Sequence, residues 1–590
     1  MQSTAENAKA DSNREVDLLI AGAGPAGMAT ALVAALEGLD VLLCEKSDQV
    51  GGTGSTSAGT LWIPGNSQSR AAGFSDNAEQ ANIYLSALVG EATNRELRNA
   101  YLQSGPTAID YLCARTDVQF VPCATHPDYR SNMPGAAISG RAIMPEPFDG
   151  RLLGREFWRI RPPVPEFMLF GGMMVGKADI PRLIGRFHSI SNFIYSAKLF
   201  VRYLVDRLTY PRGTRIMMGN ALVGRLFYSL RKRQVPILFN TSIVDVIGDR
   251  RGVTGAHVNV GGKEVIVKTR KGVVLATGGY AHNKRFREAF MPQPVPAHSM
   301  SFEGNRGDGI EIGQRLGAAT TPDRCTSGLW SPVSIVPRAK GGNGLFPHLV
   351  LDRAKPGLIA VNSAGRRFVN EAVSYHDFAL AMFESHKLIA SIPAWLVCDA
   401  DFLRKYGLGI VYPGHRNPEK FLDSGYLVSA ATLNELAGRI GANPVQFCQT
   451  VERYNGFAET GVDVDFGKGE TELNRFNGDA AHKPNPCIGF LATPPFYAVA
   501  VWPADIAVST GLATDADARV LGSDGQPIPG LYACGNDMAS VMAGSYPGPG
   551  TTLGPAIVFA YRAAIHARTR KPIEQNVPSN EQNLDRVMSD

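Results

Sequence analysis

The stretch that decides the fold is VDLLIAGAGPAGMATALVAALEG, residues 16–38. Its first six residues form a short, mainly apolar run that is typical of a buried parallel strand. Three glycines follow at the spacing G-x-G-x-x-G, and the remaining residues favour a helix. A second apolar run, residues 40–44, ends at Glu45, about 20 residues beyond the glycines, as the dinucleotide-binding fingerprint requires. These features predict the first unit of a doubly wound α/β fold.

Each glycine has its own role in such a turn. Gly22 permits the tight turn, Gly24 lets the backbone approach a pyrophosphate, and Gly27 lets the helix pack closely on the strand. The helix N-terminus offers N–H groups and a positive dipole to the phosphates. Glu45 is expected to accept hydrogen bonds from ribose hydroxyls. A glycine-rich turn that binds no ligand is the alternative interpretation.

Length and composition narrow the class of protein. The chain has 590 residues, of which 44% are hydrophobic and 19% are charged, and it carries 63 glycines. This length predicts several structural units, and the apolar content argues against collagen and against wholesale disorder. The net charge of +5 is dispersed and indicates no nucleic-acid partner. The glycine excess suggests that backbone approaches a ligand in several places.

Targeting and cysteine patterns point to a cytoplasmic protein without a metal site. No run approaches about 18 uninterrupted apolar residues, so no membrane-spanning helix is expected. Residues 1–15 are polar, contain no apolar signal core, and are predicted to be disordered. The eight cysteines have no metal-binding spacing, and buried reduced thiols are expected.

The rest of the chain divides into segments that differ in their pattern of apolar and polar residues. Residues 235–279 alternate between apolar and polar positions around two turns and predict a strand, a hairpin and a buried strand. The pattern of apolar and polar residues changes near residue 325 and again near 493, which suggests an inserted domain. The predicted division is residues 16–325 for the first part of the dinucleotide domain with a helical insertion over about 91–217, 326–492 for the inserted domain, 493–570 for the second part, and 571–590 for a loose tail.

Residues 192–208, NFIYSAKLFVRYLVDRL, place apolar side chains at helical spacing beside Lys198, Arg202 and Arg207. Ordinary core packing with a solvated basic face is the favoured interpretation. A basic amphipathic helix that rests on a membrane surface or on a partner is the alternative.

Several further motifs follow the fingerprint in a fixed order. They are Gly51-Gly52-Thr53, Ala276-Thr277-Gly278-Gly279, Gly307-Asp308-Gly309, Arg367-Phe368-Val369-Asn370-Glu371 and the closing segment 530–535. Together they resemble the flavoprotein family that contains fumarate reductases and 3-ketosteroid dehydrogenases. The resemblance implies a Rossmann-like FAD-binding domain, split by an inserted α+β cap, with substrate held between cap and flavin. Residues 51–59 contain no histidine, which implies non-covalent FAD.

The resemblance also implies which residues contact FAD. The helix that opens near residue 551 is expected to point its N-terminus at the flavin and to stabilise negative charge on the reduced ring. The predicted FAD-binding residues are Gly22, Gly24, Ala26, Gly27, Glu45, Lys46, Gly52, Thr53, Ser57, Ala58, Gly59, Ala276, Thr277, Gly278, Gly535, Asn536, Asp537, Gly550, Thr552 and Leu553.

One segment separates the members of this family. Residues 545–550, SYPGPG, resemble the Tyr-Pro-Gly-x-Gly segment of 3-ketosteroid Δ1-dehydrogenases. The resemblance implies that the Tyr546 hydroxyl and the Gly550 N–H hold the C3 carbonyl of the substrate. It further implies that Tyr375 abstracts the proton and that Tyr129 supports it. His376 is a competing base, since its unperturbed pKa lies closer to neutrality.

The predicted function is that of an FAD-dependent 3-ketosteroid Δ1-dehydrogenase, which removes a proton and a hydride from adjacent ring-A carbons. The hydride would pass to flavin N5, and the C1–C2 bond would become double. Δ4-(5α) desaturation and desaturation of another cyclic ketone are the nearest alternatives. A fumarate-type reductase and a flavin carrier without turnover remain open. An external electron acceptor is required, and a quinone reached at a membrane surface is one candidate.

Overall fold

The structure is a computed structural model that describes residues 13–91, 93–176, 178–249, 252–321, 325–338, 341–414 and 417–571. Residues 1–12 of the segment predicted to be disordered, and residues 572–590 of the predicted tail, lie outside this description. The prediction is wrong for residues 13–15, because they open the first strand, Asn13–Ala21.

The first sheet carries the predicted dinucleotide fold. Within the described residues its main path runs Ile237–Leu238, Val41–Cys44, Asn13–Ala21, Lys263–Leu275, Gly252–Val260 and Thr241–Asp249, and Pro527–Ala533 and Arg519–Leu521 extend it from Lys263–Leu275. Asn13–Ala21 pairs in parallel with both of its neighbours. Leu18, Leu19 and Ile20 are fully buried, because helices and sheet cover both faces of a parallel strand. The predicted strand and hairpin over 235–279 are present as three antiparallel strands.

The second sheet forms the core of the cap. Its path is Asn343–Pro347, Gly328–Pro337, Phe496–Val508, Ala394–Cys398 and Leu358–Val361, and His298–Ser299 and Val428–Ala430 also pair with Phe496–Val508. The predicted boundary at residue 493 is therefore wrong, because Phe496–Val508 is the central strand of this sheet. The chain rejoins the first sheet only at Arg519–Leu521. A buried apolar strand has the same pattern in either sheet, so periodicity does not reveal its partner.

The predicted helical insertion over 91–217 is only partly helical. It contains the helices Arg95–Arg115, Ile180–Ile184 and Ile190–Asp206 and the 3-10 segments Gly150–Arg159 and Pro165–Phe167. Between them lie the short strands Phe120–Pro122, Ala142–Pro145, Phe148–Asp149, Met168–Leu169, Met173–Met174 and Arg215–Ile216. Strands of two to four residues are too short to show an alternating pattern, which explains the error.

The remaining helices cover the two sheets. Pro25–Leu36 and Leu553–Thr569 pack on each other beside the first sheet, and Tyr375–His386 packs on Gly328–Pro337 of the second. The others are Ser67–Ala71, Ala78–Val89, Met218–Lys232, Lys284–Phe290, Asp308–Arg315, Ala400–Tyr406, Glu419–Asp423, Leu433–Ile440, Pro444–Thr460 and Glu472–Asn477. In the described part of the chain, none of the helices has the length and apolar character needed to cross a bilayer.

Five of the eight cysteines are buried. The exposed one is Cys325. No cluster of metal-binding side chains occurs among the residues that the structure describes.

Candidate active site

The glycine fingerprint forms an open cradle at the carboxyl end of the first strand. Gly22 has φ of +103°, and a Cβ there would lie 2.3 Å from the Ala276 carbonyl oxygen. A Cβ on Gly27 would lie 1.9 Å from the Gly22 carbonyl oxygen. Nothing lies within 4 Å of a Cβ on Gly24, which caps the helix Pro25–Leu36. The outer two glycines therefore serve packing, and Gly24 leaves space at a helix N-terminus that suits a phosphate.

Two charged residues lie at the end of the second strand. The Glu45 carboxylate is buried and accepts the Ala23 N–H at 2.8 Å and the Ser47 N–H at 2.9 Å. Burial raises the pKa of Glu45. Lys46 pairs with Asp308. Glu45 thus stands directly beside the glycine turn, where the adenosine ribose was predicted.

The loop 51–59 packs against the turn that precedes Asp308. The Thr53 hydroxyl oxygen accepts the Phe302 N–H at 2.9 Å and the Asn305 side-chain amide at 3.0 Å. Ser57 donates to the Gly54 carbonyl, and Ala58 is exposed. Nothing lies within 4 Å of a Cβ on Gly52, whereas Gly59 lies tightly against Gly219.

Asp537 joins two of the predicted cofactor segments. Its fully buried carboxylate accepts N–H groups from Thr277 and Gly279, at 2.5 and 2.8 Å. Burial raises the pKa of Asp537. The side chain is therefore hydrogen bonded to backbone N–H groups, and these bonds hold the chain that follows the strand Lys263–Leu275 in place. Gly535, at the start of the same turn, lies against Ala26.

The other predicted cofactor residues lie around the same edge. Gly278 has φ of +97° and faces the Asn305 side chain, and Asn536 packs against Gly279. Thr552 precedes the helix that begins at Leu553. The buried hydroxyl of Ser55 has no hydrogen-bond partner among the described residues. The open positions at Gly24 and Gly52, the helix N-terminus and this orphan hydroxyl fit a dinucleotide such as FAD.

Gly24→Val is expected to weaken FAD binding at least about tenfold while the protein still folds. The new side chain would enter open space instead of the core, but it would block the close approach of pyrophosphate to the backbone. Fluorescence titration of the apoprotein with FAD would measure the loss. The control is Gly438→Val, since Gly438 is also open and lies on the distant helix Leu433–Ile440. Equal FAD affinity in both variants would contradict this role of Gly24.

Three tyrosines from distant parts of the sequence meet beside the second sheet. Tyr129 donates to the Tyr375 hydroxyl oxygen at 3.0 Å. The rings of Tyr129 and Tyr546 stack with centroids 5.3 Å apart. Tyr375 meets both rings edge on, at 5.4 Å. All three predicted catalytic tyrosines therefore form one buried cluster.

The Tyr546 segment is held by the insertion. The Pro547 carbonyl accepts the Tyr129 N–H at 2.8 Å and the Tyr84 hydroxyl at 2.7 Å. Asp128, beside Tyr129, accepts the indole N–H of Trp62 and pairs with Arg141. These contacts fix Tyr129 and Tyr546 relative to each other.

Gly550 is required by its surroundings. Its φ is +92°, and a Cβ there would lie 2.3 Å from the Thr60 carbonyl oxygen. No acceptor for its N–H is present among the described residues. Gly550 therefore offers a bare backbone donor four residues after Tyr546.

The cluster lies in an apolar setting with one buried cation beside it. Burial raises the pKa of Tyr375 well above its usual range, and the charge of Arg353 acts in the opposite direction. Burial also lowers the pKa of Arg353 to about 10. The Arg353 guanidinium donates only to backbone carbonyls among the described residues, those of His348, Leu349, Glu371 and Val373. The hydrogen bonds of Arg353 thus fix the loop that leads to Tyr375, and the buried carboxylates of Asp352 and Glu371 favour its charged form.

His376 does not fit the role of base. Burial lowers its pKa to about 4, so the ring is neutral at physiological pH. Its Nδ1 accepts the Trp330 N–H at 3.2 Å. This lone pair is engaged with the sheet and is unavailable to take a proton from a substrate.

Several residues that build the site were not predicted from the sequence. Arg353, Asp128 and Arg141 are all buried and hold the loops that carry the tyrosines. The available signal was a charged residue inside an apolar run, as with Arg353 in HLVLDRAKPG. A buried charge is rare unless it is paired or hydrogen bonded, so such a residue marks a structured loop.

Apolar side chains pack around the tyrosines. Leu329, Leu473 and Ala507 are buried with them, and Leu349 and Ile506 pack at the margin. Such a lining favours an apolar ligand with one polar group, which the tyrosine hydroxyls and the Gly550 N–H would meet.

The chain is similar to known proteins over most of its length. Residues 17–553 match the family described as FAD binding domain. The chain is 38% identical over 552 residues, 93% of this chain and 92% of the relative, to 4-oxocyclohex-2-ene-1-carboxylate 5-dehydrogenase of Sinomonas cyclohexanicum. It is 35% identical over 565 residues, 94% of this chain and 98% of the relative, to 3-oxosteroid 1-dehydrogenase of Mycobacterium tuberculosis.

Among solved structures, a similar one is 3-ketosteroid Δ1-dehydrogenase from Sterolibacterium denitrificans in complex with 1,4-androstadiene-3,17-dione. The TM-score is 0.87 at 36% identity, with 94% of this chain and 99% of that chain covered. A 3-ketosteroid-Δ4-(5α)-dehydrogenase from Rhodococcus jostii has a TM-score of 0.62 at 22% identity, over 94% of this chain and 97% of that one, which shows a shared fold.

Proposed function

The chain belongs to the FAD-binding-domain family and is an FAD-dependent oxidoreductase, and from that premise we propose that it desaturates ring A of 3-ketosteroids between C1 and C2. The observation that carries the proposal is the placement of Tyr375. Its hydroxyl accepts the Tyr129 O–H at 3.0 Å, and its ring lies 5.4 Å from the Tyr546 ring in the same buried cluster. A base beside a carbonyl clamp is the arrangement that α-proton removal needs.

Each residue of the site would have its own role in the reaction. Tyr546 O–H and Gly550 N–H would donate to the C3 carbonyl, where negative charge develops as the α-proton leaves. Tyr375 would take the proton from C2, and Tyr129 would donate to its oxygen. Arg353 would favour the phenolate form of Tyr375 through its charge. When bound, FAD supplies the acceptor for the hydride that leaves C1.

A second candidate is desaturation of a small carboxylated cyclohexanone, because the Sinomonas relative is named for such a substrate. A carboxylate needs a cation with free donors. Two cations beside the cluster are engaged: Arg353 with backbone carbonyls, and Arg130 with Asp377 at 2.7 Å. The apolar lining also favours a steroid. We therefore rank the carboxylated ring second.

Anaerobic titration separates these substrates. Androst-4-ene-3,17-dione is expected to bleach the flavin and to yield a 1,4-diene, whereas 4-oxocyclohex-2-ene-1-carboxylate is expected to leave it oxidised. 5α-Androstane-3,17-dione separates the regiochemistries, since the product is a 1-ene under this proposal and a 4-ene under Δ4 desaturation. Bleaching by the carboxylate alone would overturn the steroid assignment, and bleaching by none of the three would favour a flavin carrier.

The rate of flavin reduction is expected to rise with pH. Burial raises the pKa of Tyr375 well above 10, so the phenolate fraction grows about tenfold per pH unit throughout the accessible range. Stopped-flow measurements between pH 6 and pH 10 would record the profile. His376→Asn keeps an acceptor for the Trp330 N–H and is expected to leave the profile unchanged. A plateau near neutrality that His376→Asn abolishes would assign the base to histidine instead.

The reduced flavin must pass its electrons to an external acceptor, and we infer a quinone. Mixing the steroid-reduced protein with menadione or with fumarate, without oxygen, tests this inference. Reoxidation by menadione alone is expected. Fast reoxidation by fumarate would favour the fumarate-type reductase.

A further inference from the structure

The helix Ile190–Asp206 turns its apolar face outward. Ile190 is 80% exposed, and Leu208, just beyond the helix end, is 85% exposed. Between them the exposed apolar residues recur every three or four positions, which places them on one face. They are Phe193, Ile194, Phe200, Val201, Leu204 and Val205. The buried residues of this helix, Tyr203 and Asp206, lie on the opposite face.

This orientation is the reverse of an ordinary surface helix, whose apolar face packs on the core. The sequence-based preference for core packing over residues 192–208 is therefore wrong. The inward face is held by polar contacts: Asp206 accepts from the N–H and hydroxyl of Thr214, and Tyr203 donates to the Phe170 carbonyl. The apolar face is exposed because the helix is fixed from its other side.

Neighbouring side chains enlarge this face into an apolar patch. Phe187 is 77% exposed and Ile184 is also exposed, both just before the helix. The Phe187 and Phe193 rings lie 6.5 Å apart, and the Phe170 and Phe200 rings 5.3 Å apart. The apolar patch comprises Phe170, Ile184, Phe187, Ile190, Phe193, Ile194, Phe200, Val201, Leu204, Val205 and Leu208. A contiguous exposed surface of this kind marks an interaction site.

The exposed charges of the segment that carries most of the apolar patch have one sign. Between residues 181 and 212 the exposed charged residues are Arg182, Arg186, Lys198 and Arg207. The only acidic residue in that range, Asp206, is buried. The exposed charge of this segment is therefore positive and suits an anionic partner, and Asp149, which reaches the helix from outside the segment, is paired with Arg202 at 3.0 Å.

We propose that the apolar patch docks this protein on an anionic phospholipid bilayer. Apolar side chains would enter the boundary between headgroups and acyl chains, and the four cations would lie against lipid phosphates. A second copy of the chain fits less well, because a two-fold contact would bring these cations together. The proposal rests on this surface alone and holds for any substrate of the active site.

The segment that leads into the apolar patch contacts both the cofactor loop and the second sheet. Arg161 donates to the Gly52 carbonyl of the cofactor loop, and Glu166 pairs with Arg338 of the second sheet at 2.7 Å. These two residues lie in the segment that precedes Phe170. Docking would therefore hold the cap and the cofactor loop close to the bilayer, where steroids and quinones dissolve.

Flotation with vesicles tests the proposal on the FAD-loaded protein. The protein is expected to float with phosphatidylcholine vesicles that contain phosphatidylglycerol, more weakly at high salt, and weakly with phosphatidylcholine alone. The triple variant Phe187→Ser/Ile190→Ser/Leu208→Ser is expected to lose flotation at least about tenfold. Arg182→Glu/Arg186→Glu/Lys198→Glu is expected to lose the preference for anionic lipid.

The matched control variant also replaces three exposed apolar residues, but outside the apolar patch. Val445→Ser, Val464→Ser and Leu388→Ser change residues that are 68%, 70% and 90% exposed, and are expected to float like the unchanged protein. Flavin absorbance and melting temperature would show that all variants are folded. Absence of flotation on anionic vesicles would overturn the proposal. A patch variant that shifts the oligomeric state while flotation is unaffected would assign the face to a contact between copies, which also overturns it.

Discussion

Tyr375→Phe is expected to slow reduction of the bound flavin by a 3-ketosteroid about a thousandfold, the usual scale for loss of a general base. The phenylalanine ring retains the edge contacts with Tyr129 and Tyr546 but lacks the oxygen that is proposed to take the C2 proton. The adjacent His376 does not substitute, because burial lowers its pKa to about 4 and its Nδ1 is bonded to the Trp330 N–H. Anaerobic stopped-flow absorbance gives the rate directly.

The control for this substitution is another buried tyrosine. Tyr454 is 1% exposed, and its hydroxyl has no hydrogen-bond partner among the described residues. Tyr454→Phe removes a buried hydroxyl far from the cluster in sequence and is expected to reduce its flavin at the unchanged rate. The flavin spectrum and melting temperature of both variants should match the original protein. A loss below about tenfold in Tyr375→Phe would remove Tyr375 from the role of base.

The dinucleotide fold could be predicted because its determinants are local. Gly22 and Gly27 are needed by a turn in which strand and helix nearly touch, and this requirement is written in adjacent residues. The central strand of the second sheet, Phe496–Val508, was assigned to the wrong domain for the opposite reason. Its neighbours along the path of the sheet, Gly328–Pro337 and Ala394–Cys398, are more than 90 residues away, and an apolar strand does not encode its neighbours.

The helix over residues 192–208 shows a similar division between what local sequence predicts and what it does not. The spacing of apolar residues over 192–208 correctly indicates a helix with one apolar face. Which face packs inward depends on contacts such as Asp206 with Thr214, and these arise only in the folded chain. Periodicity therefore predicted the helix but not the exposure of its apolar side.

The tyrosine cluster combines residues that local sequence brings together with residues that only the fold brings together. Tyr546 and Gly550 belong to one short motif, so local sequence brings them together. Tyr129 and Tyr375 are 246 residues apart, and the 3.0 Å contact of their hydroxyls depends on how the insertion packs on the cap. Arg353 has no motif at all, and its effect on Tyr375 follows from burial and from carbonyls that the fold directs at it. Its positioning role emerges only from three-dimensional structure.

Tyr546→Phe is expected to slow flavin reduction by about two to three orders of magnitude, close to 3 kcal/mol of lost transition-state stabilisation. Phenylalanine keeps the stack on Tyr129 but removes one of two donors aimed at the carbonyl oxygen. The Gly550 N–H would remain, so the loss is expected to be smaller than in Tyr375→Phe. A steroid with a phenolic ring A separates the two roles, because its phenolate resembles the enolate that forms when C2 loses its proton. Equilibrium titration should show much weaker binding of this ligand in Tyr546→Phe and nearly unchanged binding in Tyr375→Phe.

The double variant tests whether the two tyrosines act in one step. Their rings are in edge contact, with centroids 5.4 Å apart, and under the proposed mechanism charge on the carbonyl oxygen would appear only as the base removes the proton. Groups that act as a unit give strongly non-additive losses. Tyr375→Phe/Tyr546→Phe should therefore be little slower than Tyr375→Phe alone, when each is measured by stopped-flow with the same steroid. Multiplicative losses would mean that clamp and base act in separate steps, and unchanged binding of the phenolic steroid by Tyr546→Phe would exclude Tyr546 from the clamp.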